Sequence, residues 1–328
     1  MSTTPLADLL RVRLANTDKL FHRSTFQHSC PLASHHRSDL YYFPPRNLDT
    51  QPRALWVYLP GNPGLLEYYD SFLQTLYTLI PSHIGILAIG QAGHAPHLPP
   101  IPSGMNPVEL PGQVEAKLEI LDEVWRILGK DVNVGISGHS VGSWMSIQIL
   151  EQRPQISSAM LLFPTLSHIA QSPNGKQLQP IFRSPLIYIL PRASLLTKLI
   201  PRGLLSYVLP APTIALVQSF HVIRAALILG RSEMDLVQEP DLAFLKANRH
   251  RIWGYWGESD GWVGVGHGNE IRDVLEQTIT EVQVEPQETL DQKIWHGVES
   301  IPHAFCLAHG EIIARKVAPW LETAFEKK

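Results

Sequence analysis

The stretch Val132-Asn133-Val134-Gly135-Ile136-Ser137-Gly138-His139-Ser140-Val141-Gly142 decides the fold. Its first part, 132–137, is a short apolar run of the kind that fills a buried parallel strand. Residues 141–151 then carry helical periodicity. Between the two lies Gly138-His139-Ser140-Val141-Gly142, a G-x-S-x-G pattern at a strand-to-helix junction. A serine there sits on a sharp, strained turn with its hydroxyl projecting into a cleft, and the flanking glycines let strand and helix approach. The Val141 N–H, at the start of the helix, faces the negative charge that develops when the serine attacks a carbonyl.

Outward from this elbow the chain alternates strand and helix. Ala54-Leu55-Trp56-Val57-Tyr58-Leu59 is a buried strand ending at Pro60-Gly61, and His83 to Ile89 repeats the pattern, ending at Gly90. Tyr69, Phe72, Leu73 and Leu76 mark a helix between them, and Val114, Leu118, Leu121, Val124 and Trp125 mark another over 113–128. The proline-rich 94–111 reads as a surface loop. Further strands follow at Ser158 to Phe163 and His250 to Trp256. Strand–helix alternation favours an α/β fold with a mainly parallel sheet flanked by helices. The interval between those last two strands far exceeds a plain crossover. Residues 166–245 are therefore expected to form a helical cap inserted into a single domain spanning 1–328.

The remaining chemistry follows in the chain order serine, acid, histidine that α/β-hydrolases use. Leu59-Pro60-Gly61-Asn62-Pro63-Gly64 directly follows a strand. It is expected to supply a second oxyanion donor, from Asn62, because Pro63 has no N–H. Tyr255 to Trp262 ends a late strand and carries Glu258 and Asp260; the shorter Asp260, further into the loop, is favoured as the acid. The chain has 15 histidines, so position must select the base. His303, in Ile301-Pro302-His303-Ala304-Phe305, falls after the last strand candidate and before a helix expected over Cys306–Leu321. His296 lies too far upstream, and His309 falls inside that helix. His139 is read as a packing residue of the elbow.

A formal net charge of -3 gives no basic field for nucleic acid. Two cysteines, Cys30 and Cys306, imply no disulfide framework. The N-terminal segment is interrupted by Asp8, Arg11 and Arg13, unlike a secretory signal. The most apolar stretch, Gly203 to Ile223, contains Pro210 and Pro212 and reads poorly as a membrane span. No His/Cys cluster has metal-ligand spacing, and acyl transfer by Ser140, His303 and Asp260 needs neither metal nor organic cofactor.

Beyond these residues the chain resembles the lipid droplet-associated hydrolases. The resemblance is carried by Pro60-Gly61-Asn62-Pro63-Gly64 with Tyr68-Tyr69, by Ala92-Gly93-His94, and by Gly112-Gln113-Val114-Glu115-Ala116-Lys117. It continues through Gly138–Gly142, Leu162-Phe163-Pro164-Thr165, Ser172-Pro173-Asn174-Gly175, Asp260-Gly261-Trp262 and Pro302-His303-Ala304-Phe305. It implies an α/β-hydrolase fold and hydrolysis of neutral lipid esters, sterol esters being the proposed class. It also implies a place on lipid droplets and the cytosolic face of the endoplasmic reticulum. Matched position by position, it puts the nucleophile at Ser140, the acid at Asp260 and the base at His303. The stretch Gln283 to Ser300 departs from it, being longer and more polar. An acyltransferase or thioesterase would use the same three residues, and a surface-organising protein would need none of them.

Between Arg183 and Arg231 the chain is rich in leucine, isoleucine and valine, broken by Pro185, Pro191, Pro201, Pro210 and Pro212, and its few charges, such as Arg192, Lys198 and Arg202, are basic. Short broken apolar helices with sparse basic residues suit an interfacial seat better than a span. This segment is expected either to pack on the core or to seat the protein on a lipid surface.

Overall fold

The fold is given by a computed structural model that describes residues 5–11, 20–47, 52–102, 104–258, 260–263, 267–276, 294–296 and 301–326. Most of the divergent stretch Gln283–Ser300 lies outside the described residues. The described strands form one sheet, β1 (His22–Gln27), β2 (Arg37–Phe43), β3 (Ala54–Leu59), β4 (Ile84–Ile89), β5 (Asn133–His139), β6 (Ser158–Leu162), β7 (Ile252–Trp256) and β8 (Ile294–His296), in the order β1-β2-β4-β3-β5-β6-β7-β8. β2 runs antiparallel to both its neighbours; from β4 to β8 every pairing is parallel. This is the α/β-hydrolase arrangement expected from the sequence.

The helices in chain order are α1 (Leu6–Leu9), α2 (Asp70–Leu79), α3 (Leu110–Leu128), α4 (Val141–Gln152), α5 (Pro173–Leu178), α6 (Leu186–Ala193), α7 (Arg202–Leu205), α8 (Ala211–Val217), α9 (Phe220–Leu236), α10 (Leu242–Asn248), α11 (His267–Glu276) and α12 (Gly310–Glu326). Side chains of a strand alternate faces, and β3 shows the consequence. Leu55, Val57 and Leu59 join Leu118, Leu121 and Met145 of α3 and α4 in one apolar layer. Trp56 and Tyr58 join Phe72 and Leu76 of α2, with Ile313, Val317 and Trp320 of α12, in the other. All six β3 residues are buried, which explains the continuous apolar run.

β3 lies between β4 and β5, so the chain leaves β3 toward one edge of the sheet and returns to β5 for the other. Ligand crevices form at such a switch point, outside the carboxyl ends of the strands. Leu59 is in register with Gly138. The Pro-Gly-Asn-Pro-Gly loop and the elbow therefore leave neighbouring strand ends together.

Two boundaries differ from expectation. α3 starts at Leu110, three residues early, because Pro111 stands in its first turn where no N–H is required. α12 starts at Gly310, not at Cys306; residues 305–307 form a separate 3-10 turn, and His309 precedes the helix. The segment from β6 to β7 folds into α5–α10, and its prolines stand mostly at helix starts: Pro173 and Pro212 in first turns, Pro201 and Pro210 at N-caps. Among the described residues no single helix is long and apolar enough to cross a membrane. α8 and α9 together reach that composition but are bent by 89°.

Candidate active site

Ser140 occupies the turn between β5 and α4 with φ 55° and ψ −125°, a left-handed conformation that costs a non-glycine residue about 1–3 kcal/mol. Its N–H donates to Leu162 O at 3.0 Å. The glycine spacing has a direct cause. A Cβ on Gly138 would come within 2.0 Å of the Gly142 backbone, and one on Gly142 within 2.4 Å of Leu59 O.

The three residues expected from the sequence meet. Ser140 Oγ lies 2.9 Å from His303 Nε2, and His303 Nδ1 lies 2.6 Å from Asp260 Oδ2. The Asp260 side chain is only 4% exposed. Its other oxygen, Oδ1, accepts the Trp262 N–H at 2.9 Å, so the carboxylate orientation is fixed from both ends. Glu258 is exposed and makes no comparable contact among the described residues, and His309 stands outside this chain of bonds. The arrangement suits proton transfer from the serine hydroxyl to His303, with Asp260 holding the Nδ1–H tautomer.

Conserving this geometry takes a second layer of bonds that motif reading alone does not reveal. His139, read from the sequence as a packing residue, is buried but hydrogen-bonded through both ring nitrogens. Its Nε2–H donates to His303 O at 2.9 Å, and its Nδ1 accepts from the Tyr69 hydroxyl at 2.7 Å. Tyr69 Oη in turn accepts the Gly61 N–H at 3.1 Å. Burial, and then the neighbouring His303, push the His139 pKa well below its ordinary value, so the ring is neutral and this single tautomer serves every bond. One chain of bonds thus ties the base loop to the Asn62 loop. The signal in the sequence was Tyr68-Tyr69 beside His139, two motifs with no stated link.

The loop after β3 is buttressed from behind. Gln91 Nε2 donates to Pro60 O at 2.8 Å, and the Gln91 N–H to Gly64 O at 3.3 Å. His94 Nδ1, neutral because burial lowers its pKa to about 3, donates to Pro63 O at 2.7 Å. Lys117 Nζ is fully buried and donates to Gly90 O, Gln91 Oε1 and Gln113 Oε1 at 2.8–3.1 Å, three acceptors for the three N–H groups of an ammonium. The Ala92-Gly93-His94 and Gly112–Lys117 blocks therefore meet as one polar support. Ser172-Pro173-Asn174-Gly175 supports the acid instead: Ser172 caps α5 through the Gly175 N–H, and the Asn174 N–H donates to Gly261 O at 2.8 Å.

Among the described residues nothing accepts from the backbone N–H of Asn62 or of Val141. The Asn62 side chain is committed elsewhere: Nδ2 donates to Ala226 O and to Glu233 Oε1, both at 2.9 Å and both on α9. A cavity of about 420 Å³ opens over Ser140 and His303, walled by apolar groups including Ile169, Phe182, Leu216 and Met234. Glu233 also lines it; burial raises its carboxyl to about 8.

Cys30 and Cys306 are unpaired. Folding brings together two sets of possible metal ligands that sequence spacing did not suggest, His28–Cys30–Glu119 and Asp39–Glu67–His97. Neither set lines the cavity, and in the first His28 is already bonded to Glu119 and Ser38.

A family profile described as lipid-droplet associated hydrolase matches residues 52–306. A lipid droplet-associated hydrolase of Rattus norvegicus is 30% identical over 306 residues, 85% of this chain and 88% of that protein. One from Drosophila melanogaster is 28% identical, covering 80% and 87%. In fold, the chain is similar to a haloalkane dehalogenase from Bradyrhizobium elkani, with a TM-score of 0.63 at 11% identity over 94% of this chain and all of the other.

Proposed function

The chain belongs to the lipid droplet-associated hydrolase family, and from that membership and the site's geometry we propose that it is a serine ester hydrolase acting on neutral lipid esters, sterol esters included, by two-step acyl transfer. The observation that carries this reading is the continuous Ser140–His303–Asp260 hydrogen-bond chain at 2.9 and 2.6 Å, opening into an apolar cavity.

In the first step His303 Nε2 takes the Ser140 proton as Oγ attacks the ester carbonyl. Asp260 stabilises the imidazolium without taking its proton. The carbonyl oxygen becomes an oxyanion and is met by the Asn62 and Val141 N–H groups, with the N-terminus of α4 adding its partial positive charge. The alcohol leaves with the proton from His303. Water, activated by the same histidine, then releases the acyl group.

Residues 166–245, which carry α5–α9 and the start of α10, form the cap of this single-domain enzyme. Helices α6–α8 seat it on the surface of lipid droplets or the cytosolic face of the endoplasmic reticulum. Leu196, Leu199, Leu204, Tyr207 and Val208 are 60–86% exposed, a concentration of apolar surface that single scattered residues do not produce. The charges around them, Arg192, Lys198 and Arg202, are basic and can snorkel toward head groups. Leu205 is buried instead and belongs to the cap's own packing. A lipid ester then reaches Ser140 from the apolar phase. Comparative lipid analysis of cells carrying the wild type or Ser140→Ala tests the substrate class: neutral lipid esters rise with the variant, and an unchanged ester profile contradicts it.

A further inference from the structure

The loop that follows β3 is held from two directions. Pro60, Gly61, Pro63 and Gly64 are all tied to the hydrolase core, through Gln91, Tyr69 and His94. Asn62 is tied to the helical segment instead. Both protons of its amide are taken by α9, one by the Ala226 carbonyl and one by the Glu233 carboxyl. The acceptors stand seven residues apart on one helix, with Glu233 reaching back toward Ala226. Together they hold the Asn62 side chain, and through it the position of the Cα that carries the backbone N–H.

Glu233 is an unusual residue for this position. It is 5% exposed, with Asn62 as its hydrogen-bond partner, in the wall of a mainly apolar cavity. A buried carboxyl without a purpose is costly and readily replaced by an apolar side chain. Burial keeps it largely protonated at neutral pH. It therefore offers Asn62 an acceptor without placing a negative charge beside the developing oxyanion.

We propose that Glu233 is a positioning residue for acyl transfer: through the Asn62 amide it fixes the backbone donor facing the oxyanion, so that the oxyanion site is complete only while α9 is seated on the core. The proposal rests on the reading of Asn62 as an oxyanion donor. It gives the helical segment a second task besides covering the cavity. A movement of α9, such as one driven by contact of α6–α8 with lipid, then reaches the oxyanion site through the Asn62 side chain.

The test uses the full chain and a small activated ester such as p-nitrophenyl butyrate. Glu233→Leu removes the acceptor while keeping the volume. Losing a well-placed oxyanion donor costs about 10²–10³-fold in kcat, and displacing one costs less, so kcat is expected to fall about 10- to 100-fold with KM changed less than about 3-fold. Glu233→Gln retains an acceptor oxygen and is expected to restore kcat to within about 3-fold of wild type. The decisive measurement is the double variant: in an Asn62→Ala background Glu233→Leu should lower kcat no further, because its effect runs through Asn62. Glu233→Met replaces Leu if the latter does not fold. Independent, multiplying effects in the double variant would overturn the proposal, as would full kcat in folded Glu233→Leu or a Gln variant as slow as Leu. Ser140→Ala, measured alongside, separates the two levels. An inactive Ser140→Ala with unimpaired Glu233→Leu refutes the role of Glu233 alone, whereas an active Ser140→Ala refutes the site on which it rests.

Discussion

Replacing Asp260 with asparagine perturbs one proton position with almost no change of shape. The structure dictates how the new amide sits. Oδ1 of Asp260 accepts the Trp262 N–H at 2.9 Å, and Oδ2 faces His303 Nδ1 at 2.6 Å. The asparagine oxygen keeps the Trp262 bond, since an NH2 there would meet a donor. The NH2 group is thereby turned toward His303, whose Nδ1 must lose its proton to accept from it. The imidazole proton moves to Nε2, 2.9 Å from Ser140 Oγ, where the base must accept. The variant keeps its fold and loses its base. The expected loss in kcat is roughly 10⁴-fold, as for the equivalent change in a well-characterised triad, or about 5.5 kcal/mol. Glu258→Gln, at an exposed position, should stay within about 3-fold, and His309→Ala likewise. Stopped-flow or plate kinetics on an activated ester measure all three, with thermal unfolding as the control for folding. Asp260→Asn within 10-fold of wild type, or a larger loss in Glu258→Gln, would refute the reasoning.

His139→Leu removes the link between the base loop and the Asn62 loop; kcat is expected to fall on the order of 10²-fold, the scale of a small misplacement, with little change in KM, and equal kcat would show that the His303 loop is held by other groups. The triple change Leu199→Ser, Leu204→Ser, Val208→Ser should release the protein from droplets in a fractionation assay yet spare hydrolysis of a soluble ester, because these side chains are 80%, 60% and 76% exposed; Leu205→Ser should instead lower Tm. Glu233 makes stability depend on pH. Its carboxyl is raised from 4.5 to about 8 in the folded state, so its contribution is fully present below about 4.5 and is lost as pH rises through about 8, at up to about 1.4 kcal/mol per pH unit. Chemical denaturation of wild type and Glu233→Gln at several pH values should show the two diverging across that window, and parallel curves would contradict the assignment.

The positions of the central strands and the three side chains that the fold brings together, Ser140, Asp260 and His303, were legible because each depends on local pattern. A continuous apolar run between turns marks a strand buried on both faces, and G-x-S-x-G at its end has a steric reason visible in Gly138 and Gly142. β1 and β2 were not legible. β1 is an edge strand reading His-Arg-Ser-Thr-Phe-Gln, with polar side chains at most positions, and its pairing with β2 is settled by tertiary contact. The start of α12 was misplaced because Phe305 is buried in the core and belongs to a separate turn; the apolar pattern ran on, although the helix did not. The roles of His139, Lys117 and Glu233 were illegible for another reason. Each acts through a partner distant in sequence, such as His303 for His139 or Asn62 for Glu233, and no spacing rule encodes such a pair.

The central claim is that Ser140 is the nucleophile, and covalent labelling tests it most directly. Purified wild type and Ser140→Ala are incubated with a fluorophosphonate, and intact mass is measured alongside Tm. The account expects the wild type to gain one phosphonyl adduct on Ser140 and to lose esterase activity in step with it. Folded Ser140→Ala should gain none. An adduct of equal yield on folded Ser140→Ala, or a wild type that hydrolyses esters but never labels, would contradict it.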